Sequence, residues 1–356
     1  MLLHGIFPAV TTPFYPDGSV YFRKLEHNLD RYSKSPVAGV VVLGSTGEAV
    51  MLSDEEKREV MKAARHAVTP EKVLIAGSGA ESARTTLELT EYAAKLGYDV
   101  ALIRTPHYYK PQMRAAEVLA FYRFVADRSP LPILLYSVPA FTGYDLPEDL
   151  VTQLAEHRNI LGIKESGGDV EKIKHMVTAT RHIKRQATVT EVQQAVTRRM
   201  LAAPAAGSAP MAEFVPAQSL GGAAVATAAP VSAPRSNLKT RTKEVGFQVV
   251  AGSAHKLKAS LDAGAVGAVL AFADPAPTAC FEIFAAWKDG DMQLAEEKQE
   301  RIREASTALV VRHGIPATKY AMDLNGYYGG PPRLPLLPLD ASVKAEVERL
   351  MADIRN

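Results

Sequence analysis

The sequence predicts an α/β fold and, within that class, a (β/α)8 TIM barrel with additional C-terminal helices. Eight short apolar runs, rich in β-branched residues, alternate along the chain with segments of helical period. Such alternation implies parallel strands that are joined by helical crossovers. The length of 356 residues fits one barrel of roughly 250 to 300 residues with an appendage. Periodicity alone leaves a doubly wound open sheet as the alternative.

The predicted strands are short, apolar and evenly spaced. They cover residues 5–11, 39–43, 73–76, 100–104, 132–136, 160–164, 247–251 and 266–271. Helical periodicity covers 53–68, 82–96 and 114–128 between strands, and 275–287, 291–311 and 341–354 after the eighth strand. We therefore expect a barrel in residues 1–290 and a helical extension in residues 291–356.

Three helix starts carry recognisable capping residues. Ser53 stands three residues before Glu56, which is the spacing of a capping box. Asp145 precedes Glu148 in a related pattern. Asp169 is the expected N-cap of the helix that follows the sixth strand.

One region interrupts the alternation, between the sixth helix and the seventh strand. Residues 184–244 are rich in Ala, Pro, Ser and Gln, and Glu213 is the only charged residue between positions 202 and 234. Such a segment cannot bury enough apolar surface to offset its chain entropy, so we expect a disordered or loosely helical insertion. The basic piece 181–199 is expected to be a helical extension with a solvated face. A translated intron is an alternative origin of the insertion.

Composition and charge argue against several classes of function. Lys and Arg number 41 against 39 Asp and Glu, and the net charge of +2 gives no reason to expect nucleic acid or a membrane as a partner. No apolar run approaches the roughly 18 residues of a membrane span. The single cysteine, Cys280, cannot form an internal disulfide, which fits a reducing compartment. We expect a cytoplasmic protein, or a mitochondrial one if a transit peptide has been removed.

The sixth strand carries the residue most suggestive of chemistry. Lys164 ends this strand just before Glu165-Ser166-Gly-Gly-Asp169, so it lies at the carboxyl end of a parallel strand, where α/β barrels keep their catalytic groups. Apolar surroundings favour the neutral amine, which is a nucleophile towards a carbonyl. The alternative interpretation is a lysine on a solvated strand end.

Three other strand ends carry candidate ligand-binding groups. After the second strand, the hydroxyls of Ser45 and Thr46 and the backbone of a Gly-Ser-Thr-Gly turn can hold a carboxylate. Tyr136 ends the fifth strand, where its phenol can both give and take a proton. Tyr108 follows the fourth strand beside Tyr109, in a tandem pair that is more typical of an interface than of catalysis. Each feature taken alone also fits a tight turn or a packed aromatic ring.

In combination, these strand ends resemble one family. The order Gly-Ser-Thr-Gly-Glu, Thr-Pro-x-Tyr-Tyr, Tyr-Ser-Val-Pro and Ile-Lys-Glu-Ser is similar to that of the pyruvate-dependent class I aldolases of the dihydrodipicolinate synthase and N-acetylneuraminate lyase family. The resemblance covers residues 5–339 apart from the insertion. It implies a (β/α)8 barrel that assembles into a homo-oligomer, a tetramer or a dimer.

The resemblance also implies roles for individual residues. Lys164 would form a Schiff base with pyruvate or another 2-oxo acid, and Tyr136 would be the proton relay. Ser45 and Thr46 would bind the carboxylate of the 2-oxo acid. Tyr108 would join the relay across a subunit interface. Gly252, after the seventh strand, would line the site.

Within the family, the motifs at 136–143, 164–170 and 325–331 look most like those of 4-hydroxy-2-oxoglutarate aldolase. Ser166 matches the residue that meets the distal carboxylate of the substrate in that enzyme. Phe141 stands where dihydrodipicolinate synthases carry an arginine, and a phenyl ring cannot donate hydrogen bonds to a carboxylate. The mitochondrial aldolase has asparagine at the Thr46 and Phe141 positions, so the distal end of this pocket departs from it.

We therefore expect an enzyme that cleaves 4-hydroxy-2-oxoglutarate, or a similar 2-oxo acid, to pyruvate and an aldehyde such as glyoxylate. This chemistry requires no metal ion and no organic cofactor. The alternatives are a 2-keto-3-deoxy sugar-acid aldolase or dehydratase and a 4-hydroxy-tetrahydrodipicolinate synthase. An alternative from a different class of function is a non-catalytic barrel that binds a 2-oxo acid or a partner.

Overall fold

A computed structural model describes residues 2–190 and 240–354 and contains a barrel of parallel strands surrounded by helices. Within these ranges the strands are β1 Gly5–Pro8, β2 Gly39–Val42, β3 Val73–Gly77, β4 Val100–Arg104, β5 Ile133–Ser137, β6 Ile160–Glu165, β7 Arg185–Thr190, β8 Thr240–Val245, β9 Gln248–Ala251 and β10 Gly267–Leu270. All eight predicted barrel strands are present, with ends that differ by at most a few residues. The apolar runs therefore located the strands correctly.

Eight of the strands form one parallel sheet in the order β1-β10-β9-β6-β5-β4-β3-β2. The two outer strands meet through a parallel bridge between Ala9 and Val41, and the N–H of Val10 donates to the carbonyl of Val41 at 2.9 Å. The sheet is thus closed, and the predicted (β/α)8 barrel is confirmed over a doubly wound open sheet. Closure brings every strand's carboxyl end to the same mouth.

The helices in the same ranges are α1 Phe22–Lys34, α2 Asp54–Ala67, α3 Ala83–Lys95, α4 Ala115–Arg128, α5 Pro139–Thr142, α6 Glu148–Ala155, α7 Val170–Ala179, α8 Leu257–Asp262, α9 Pro277–Lys288, α10 Met292–Ser306, α11 Ile315–Leu324 and α12 Ala341–Met351. A π-helical segment, Thr307–Arg312, continues α10. The predicted C-terminal helices are confirmed, whereas α11 was not predicted. None of the helices described is long and apolar enough to cross a membrane.

Two apolar clusters hold the barrel together. The inner cluster fills the barrel with side chains such as Phe7, Leu102, Leu134 and Val250, which are at most 1% exposed. The outer cluster lies between strands and helices. Full burial of one such side chain contributes about 1.5–3 kcal/mol relative to exposure, so the strand ends rest on a rigid, well-packed support.

The predicted helix starts are correct in two of three cases. The side chain of Ser53 accepts from the backbone N–H of Glu56, whose own side chain accepts in return, so the capping box is present. Asp169 caps α7 by accepting from the N–H of Lys172 at 3.2 Å. The prediction for Asp145 is wrong: α6 begins after Pro147 with no side-chain cap, because the Asp145 carboxylate instead accepts from Ser137 and Lys172.

The insertion begins and ends in a two-stranded ladder. β7 and β8 pair antiparallel from Arg185 opposite Val245 to Thr190 opposite Thr240. The expected helix over 181–199 is therefore wrong at residues 185–190, where alternating Ala, Thr and Val favour a strand. The Arg185 guanidinium donates to the carbonyl of Ile160 at 2.6 Å, which anchors the ladder to the barrel. The rest of the predicted disordered insertion, residues 191–239, lies outside the described residues.

Replacing residues 191–239 with a two-residue Asn-Gly turn should leave the barrel folded. Thr190 and Thr240 are already opposite each other in an antiparallel ladder, and a two-residue turn joins such strands with the correct twist. A shorter connection also lowers the entropic cost of closing the loop. We expect a thermal unfolding midpoint equal to or above that of the full chain. Insoluble protein or a lower midpoint would show that the removed residues pack on the barrel.

Candidate active site

Lys164 lies inside the barrel mouth with only 4% of its surface exposed. It is the fifth residue of β6, in register with Tyr136 of β5 and with Val250 of β9. Side chains in register on adjacent parallel strands point to the same face, so all three face the barrel interior. The Lys164 Nζ atom lies 4.3 Å from the centre of the Tyr136 ring. The predicted amine and phenol are therefore neighbours.

Tyr136 links the lysine to the loop after β2. Its hydroxyl lies 3.3 Å from the Oγ atom of Ser45, and either hydroxyl can be the donor. Tyr136 is 5% exposed, whereas Ser45 and Thr46 are half-buried in the same loop. The Tyr136 side chain therefore contacts Ser45 through its hydroxyl and the Lys164 amine through the face of its ring.

The backbone of the loop after β2 is constrained at both ends. Leu43 and Glu48 both have positive φ angles, of 60° and 55°, which non-glycine residues seldom adopt. Gly77 of β3 permits this path, because a Cβ atom there would lie 2.1 Å from the carbonyl oxygen of Leu43. The loop that presents Ser45 is therefore pressed against the end of β3.

A buried ion pair holds the same loop from the C-terminal side. The Lys319 Nζ atom of α11 lies 2.5 Å from Oε1 of Glu48, and both side chains are fully buried. Lys319 also donates to the carbonyl of Thr12 at 2.8 Å. Burial lowers the pKa of Lys319, and the Glu48 carboxylate acts against that effect. A helix that follows the barrel thus contributes directly to the shape of its mouth.

Ser166 and Gly252 are in contact on the other side of Lys164. A Cβ atom on Gly252 would lie 2.0 Å from the Oγ atom of Ser166, so only glycine fits there without displacing the serine. The N–H of Gly252 donates to the carbonyl of Glu165 at 2.7 Å, and the N–H of Ser166 donates to the carbonyl of Ser137 at 3.0 Å. These bonds fix the backbone of both predicted site residues.

Two predicted site residues lie on the rim. Phe141 belongs to the short helix α5 and is 62% exposed. Tyr108 is 76% exposed and packs edge-to-face on Tyr109, with 5.1 Å between ring centres. Ser45, Tyr136 and Tyr108 line a cavity of about 460 Å³, whereas Lys164, Thr46, Ser166, Gly252 and Phe141 are not among its lining residues. The structure thus brings Lys164, Tyr136 and Ser45 together, places Ser166 against Gly252, and leaves Tyr108 and Phe141 on the rim.

A polar cluster at this cavity was missed by the sequence analysis. Arg104, Glu81 and His107 all line it, and the Arg104 Nη1 atom lies 2.7 Å from Oε1 of Glu81. The apolar run predicts Arg104 only as the last residue of a strand. A sequence signal was present, however. Arg104 follows Val100 and Leu102 at intervals of two residues along the strand, and both of those side chains face the barrel interior, so Arg104 is expected to face inwards too.

Asp274 is a second residue that the sequence analysis missed. It is fully buried, and neither carboxyl oxygen has a hydrogen-bond partner among the residues described. Burial raises the pKa of this carboxyl well above its ordinary value, although the charge of Lys164 acts in the opposite direction. The carboxyl therefore lies within electrostatic range of the buried amine. Nothing in its sequence context, Ala-Asp-Pro, distinguished it from a turn residue.

The arrangement fits covalent catalysis through an amine. A buried primary amine beside a phenol can attack a ketone while the phenol manages the protons of the reacting oxygen. No group of three or more His, Cys, Asp or Glu side chains in residues 2–190 and 240–354 is arranged to hold a metal ion.

Comparison with known proteins finds relatives over the whole chain. A sequence profile of the dihydrodipicolinate synthetase family matches residues 2–203 and 228–354. A 4-hydroxy-tetrahydrodipicolinate synthase of Methanothrix thermoacetophila is 28% identical over 350 residues, which cover 98% of this chain and 96% of that protein. Another 4-hydroxy-tetrahydrodipicolinate synthase, from Haloarcula marismortui, is 39% identical over 178 residues, covering 50% of this chain and 57% of its own.

Solved structures have the same fold. A dihydrodipicolinate synthase of Bacillus anthracis has a TM-score of 0.77 at 22% identity, with complete coverage of both chains. YagE, a prophage protein of E. coli K12 whose structure is a complex with pyruvate, has a TM-score of 0.75 at 26% identity and 99% coverage of both chains.

Asp274→Asn should stabilise the protein at neutral pH. Because the folded-state pKa of Asp274 is raised from 3.8, its favourable contribution to folding is complete below pH 3.8 and is lost as the pH rises towards the folded-state value. Asparagine has the same shape and no charge to bury. We expect the variant's advantage in the free energy of unfolding to grow from about pH 4 upwards, measured by urea titration.

The matched control for this titration is Asp289→Asn, because Asp289 is exposed at the end of α9. Its stability should follow that of the unmodified protein across the same pH range. Equal stability of Asp274→Asn and the unmodified protein at pH 7 would contradict the expected cost of the buried charge.

Proposed function

The chain belongs to the dihydrodipicolinate synthetase family, and from that premise we propose that it cleaves 4-hydroxy-2-oxoglutarate, or a near analogue, to pyruvate and an aldehyde such as glyoxylate. It is a carbon–carbon lyase of the class I aldolase type. The observation that carries the proposal is the buried Lys164, whose Nζ atom lies 4.3 Å from the ring of Tyr136.

In the proposed reaction, the neutral amine of Lys164 attacks the ketone carbon of the substrate. The resulting carbinolamine takes up a proton and loses water to give an iminium ion. The iminium accepts the electron pair of the breaking carbon–carbon bond while the 4-hydroxyl loses its proton, and the aldehyde leaves. Protonation of the remaining enamine and hydrolysis of the imine then release pyruvate and regenerate the amine.

The other predicted site residues have proposed roles around the barrel mouth. Tyr136 is the proton relay, and its 3.3 Å contact with Ser45 connects it to a second hydroxyl. Ser45 and Thr46 bind the carboxylate next to the ketone, and Gly252 lines the site. Tyr108 completes the relay from a neighbouring subunit of a homo-oligomer. The exposed Tyr108–Tyr109 pair supports that assembly, since exposed aromatic rings are enriched in interfaces.

The choice of substrate rests on the distal end of the pocket. Phe141 offers an apolar ring where dihydrodipicolinate synthases carry an arginine, which disfavours aspartate semialdehyde as a substrate. Ser166 is held beside Gly252, where its hydroxyl can donate to the distal carboxylate of a dicarboxylic 2-oxo acid. The second candidate is 4-hydroxy-tetrahydrodipicolinate synthase, which is favoured by the names of the relatives from Methanothrix and Haloarcula. A 2-keto-3-deoxy sugar-acid aldolase or dehydratase remains the third.

Borohydride should trap pyruvate on Lys164. Reduction of the imine adds a stable group to one lysine, which peptide mass mapping locates. Lys164→Ala should abolish both trapping and turnover, and so should Lys164→Arg, because a guanidinium remains protonated. Lys172→Arg is the matched control, since Lys172 is a second buried lysine on the neighbouring helix α7. Folded protein that is labelled elsewhere, or not at all, would rule out this mechanism.

Ser166→Ala should discriminate between substrates. A hydroxyl that donates to a carboxylate contributes roughly 1.5 kcal/mol, or about tenfold in kcat/KM. We expect that loss with 4-hydroxy-2-oxoglutarate and a much smaller one with a neutral-tailed 2-keto-3-deoxy sugar acid, with Ser253→Ala as the control.

The competing substrate assignment is tested in the same assay. The unmodified protein should condense pyruvate with aspartate semialdehyde slowly or not at all, because Phe141 supplies no donor. Faster turnover of aspartate semialdehyde, or of a sugar acid, than of 4-hydroxy-2-oxoglutarate would contradict the substrate assignment. The proposed imine mechanism would not be affected.

A further inference from the structure

One carboxylate holds the backbone of the loop after β4. Glu81, in the loop after β3, accepts through Oε2 from the backbone N–H groups of His107 and Tyr108, each at 2.9 Å. Its Oε1 atom lies 2.7 Å from Nη1 of Arg104. Two consecutive backbone donors and one cation therefore converge on the same side chain. The backbone of Tyr108 cannot move without breaking at least one of these contacts.

Arg104 links Glu81 to the strand position next to Tyr136. It is the last residue of β4 and lies in register with Tyr136 of β5, so its side chain leaves the sheet on the inner face. Its Nη1 atom also contacts the Nδ1 atom of His107 at 2.8 Å. The chain of contacts thus begins beside Tyr136 and ends at the residue that precedes Tyr108.

The charges in this cluster make the backbone contacts strong. Partial burial acts to raise the pKa of Glu81, but the N–H groups of Tyr108 and His107 and the Arg104 guanidinium outweigh it, and the pKa is lowered. Burial, together with the neighbouring Arg104, lowers the pKa of His107. At neutral pH, Glu81 is therefore an ionised acceptor and His107 a neutral imidazole. Hydrogen bonds to an ionised acceptor are roughly twice as strong as those between neutral groups.

We propose that Glu81, oriented by Arg104, is a positioning residue that places Tyr108 for its part in the proton relay. The inference rests on the proposed function, in which Tyr108 completes that relay. Within residues 2–190 and 240–354 the Tyr108 hydroxyl has no hydrogen-bond partner, and its ring is 76% exposed. The position of the phenol thus depends on the backbone that Glu81 holds and on the edge-to-face contact with Tyr109. Glu81 itself touches no reacting atom.

The test measures exchange of the methyl protons of pyruvate in D2O by NMR. This exchange needs imine and enamine formation but no aldehyde, so it does not depend on the choice of substrate. We expect Tyr108→Phe to lower the exchange rate by roughly 100-fold, the typical effect of losing a general acid–base group. Glu81→Gln should lower it about tenfold, with the half-saturating pyruvate concentration changed by less than about threefold.

A double-mutant cycle separates positioning from a general structural effect. If Glu81 acts through Tyr108, adding Glu81→Gln to Tyr108→Phe should produce no further loss. Arg104→Lys, which keeps the charge but changes the geometry of the pair, should lie between the unmodified protein and Glu81→Gln. Glu88→Gln is the matched control. It also removes a glutamate–arginine pair, with Arg84 at 2.9 Å on the surface of α3, and it should leave exchange unchanged.

The outcomes distinguish this inference from the proposed function. No exchange by the unmodified protein would contradict the imine mechanism itself. Exchange that is lowered by Tyr108→Phe but not by Glu81→Gln or Arg104→Lys would overturn the positioning role alone. Additive losses in the double variant, or a matching fall in the thermal unfolding midpoint, would assign Glu81 a structural role and overturn the inference as well.

Discussion

The ion pair between Glu48 and Lys319 is the contact on which the barrel mouth depends most. Both side chains are fully buried, with 2.5 Å between Nζ and Oε1. Removal of one partner from such a pair leaves a buried charge without compensation and costs about 3–5 kcal/mol. The carbonyls of Thr12 and Pro331 accept from the same ammonium, at 2.8 and 3.1 Å. Three separate parts of the chain are therefore held around a single cation.

This pair explains why helices beyond the barrel matter to the site. Lys319 lies on α11, so the loop that presents Ser45 has its position only when the C-terminal helices are in place. Arg333 reinforces the connection, because its backbone N–H donates to Glu48 at 2.9 Å while its guanidinium pairs with Glu56 of α2. The division into a barrel and a helical extension describes the order of elements along the chain. The contacts tie both parts into one site.

The sequence patterns predicted the repeating strands and the helix caps. They missed residues whose importance depends on which side chains face them in the folded chain. Alternating apolar runs located every barrel strand, and capping residues located α2 and α7. β7 was missed because the basic residues between 181 and 199 resembled a solvated helix face, and β8 was missed because residues 184–244 were taken together as an insertion without regular structure. Arg104 and Asp274 were missed because their significance lies in what faces them across the barrel. Lys164 and Tyr136 were predicted from strand-end motifs that are specific in combination, and the structure places them side by side inside the barrel mouth; their catalytic roles stay a prediction.

The same distinction separates the chemistry of the site from its choice of substrate. Lys164 and Tyr136 stand on strands whose side chains fill the barrel interior, so packing fixes their positions in any member of the fold that keeps them. Phe141 and Tyr108 stand on the rim, 62% and 76% exposed, where substitution costs the barrel little. A substitution at the rim can therefore change which substrate fits without displacing Lys164 or Tyr136. Family membership thus supports the reaction type more firmly than the substrate, which depends on the side chains around the distal end of the pocket.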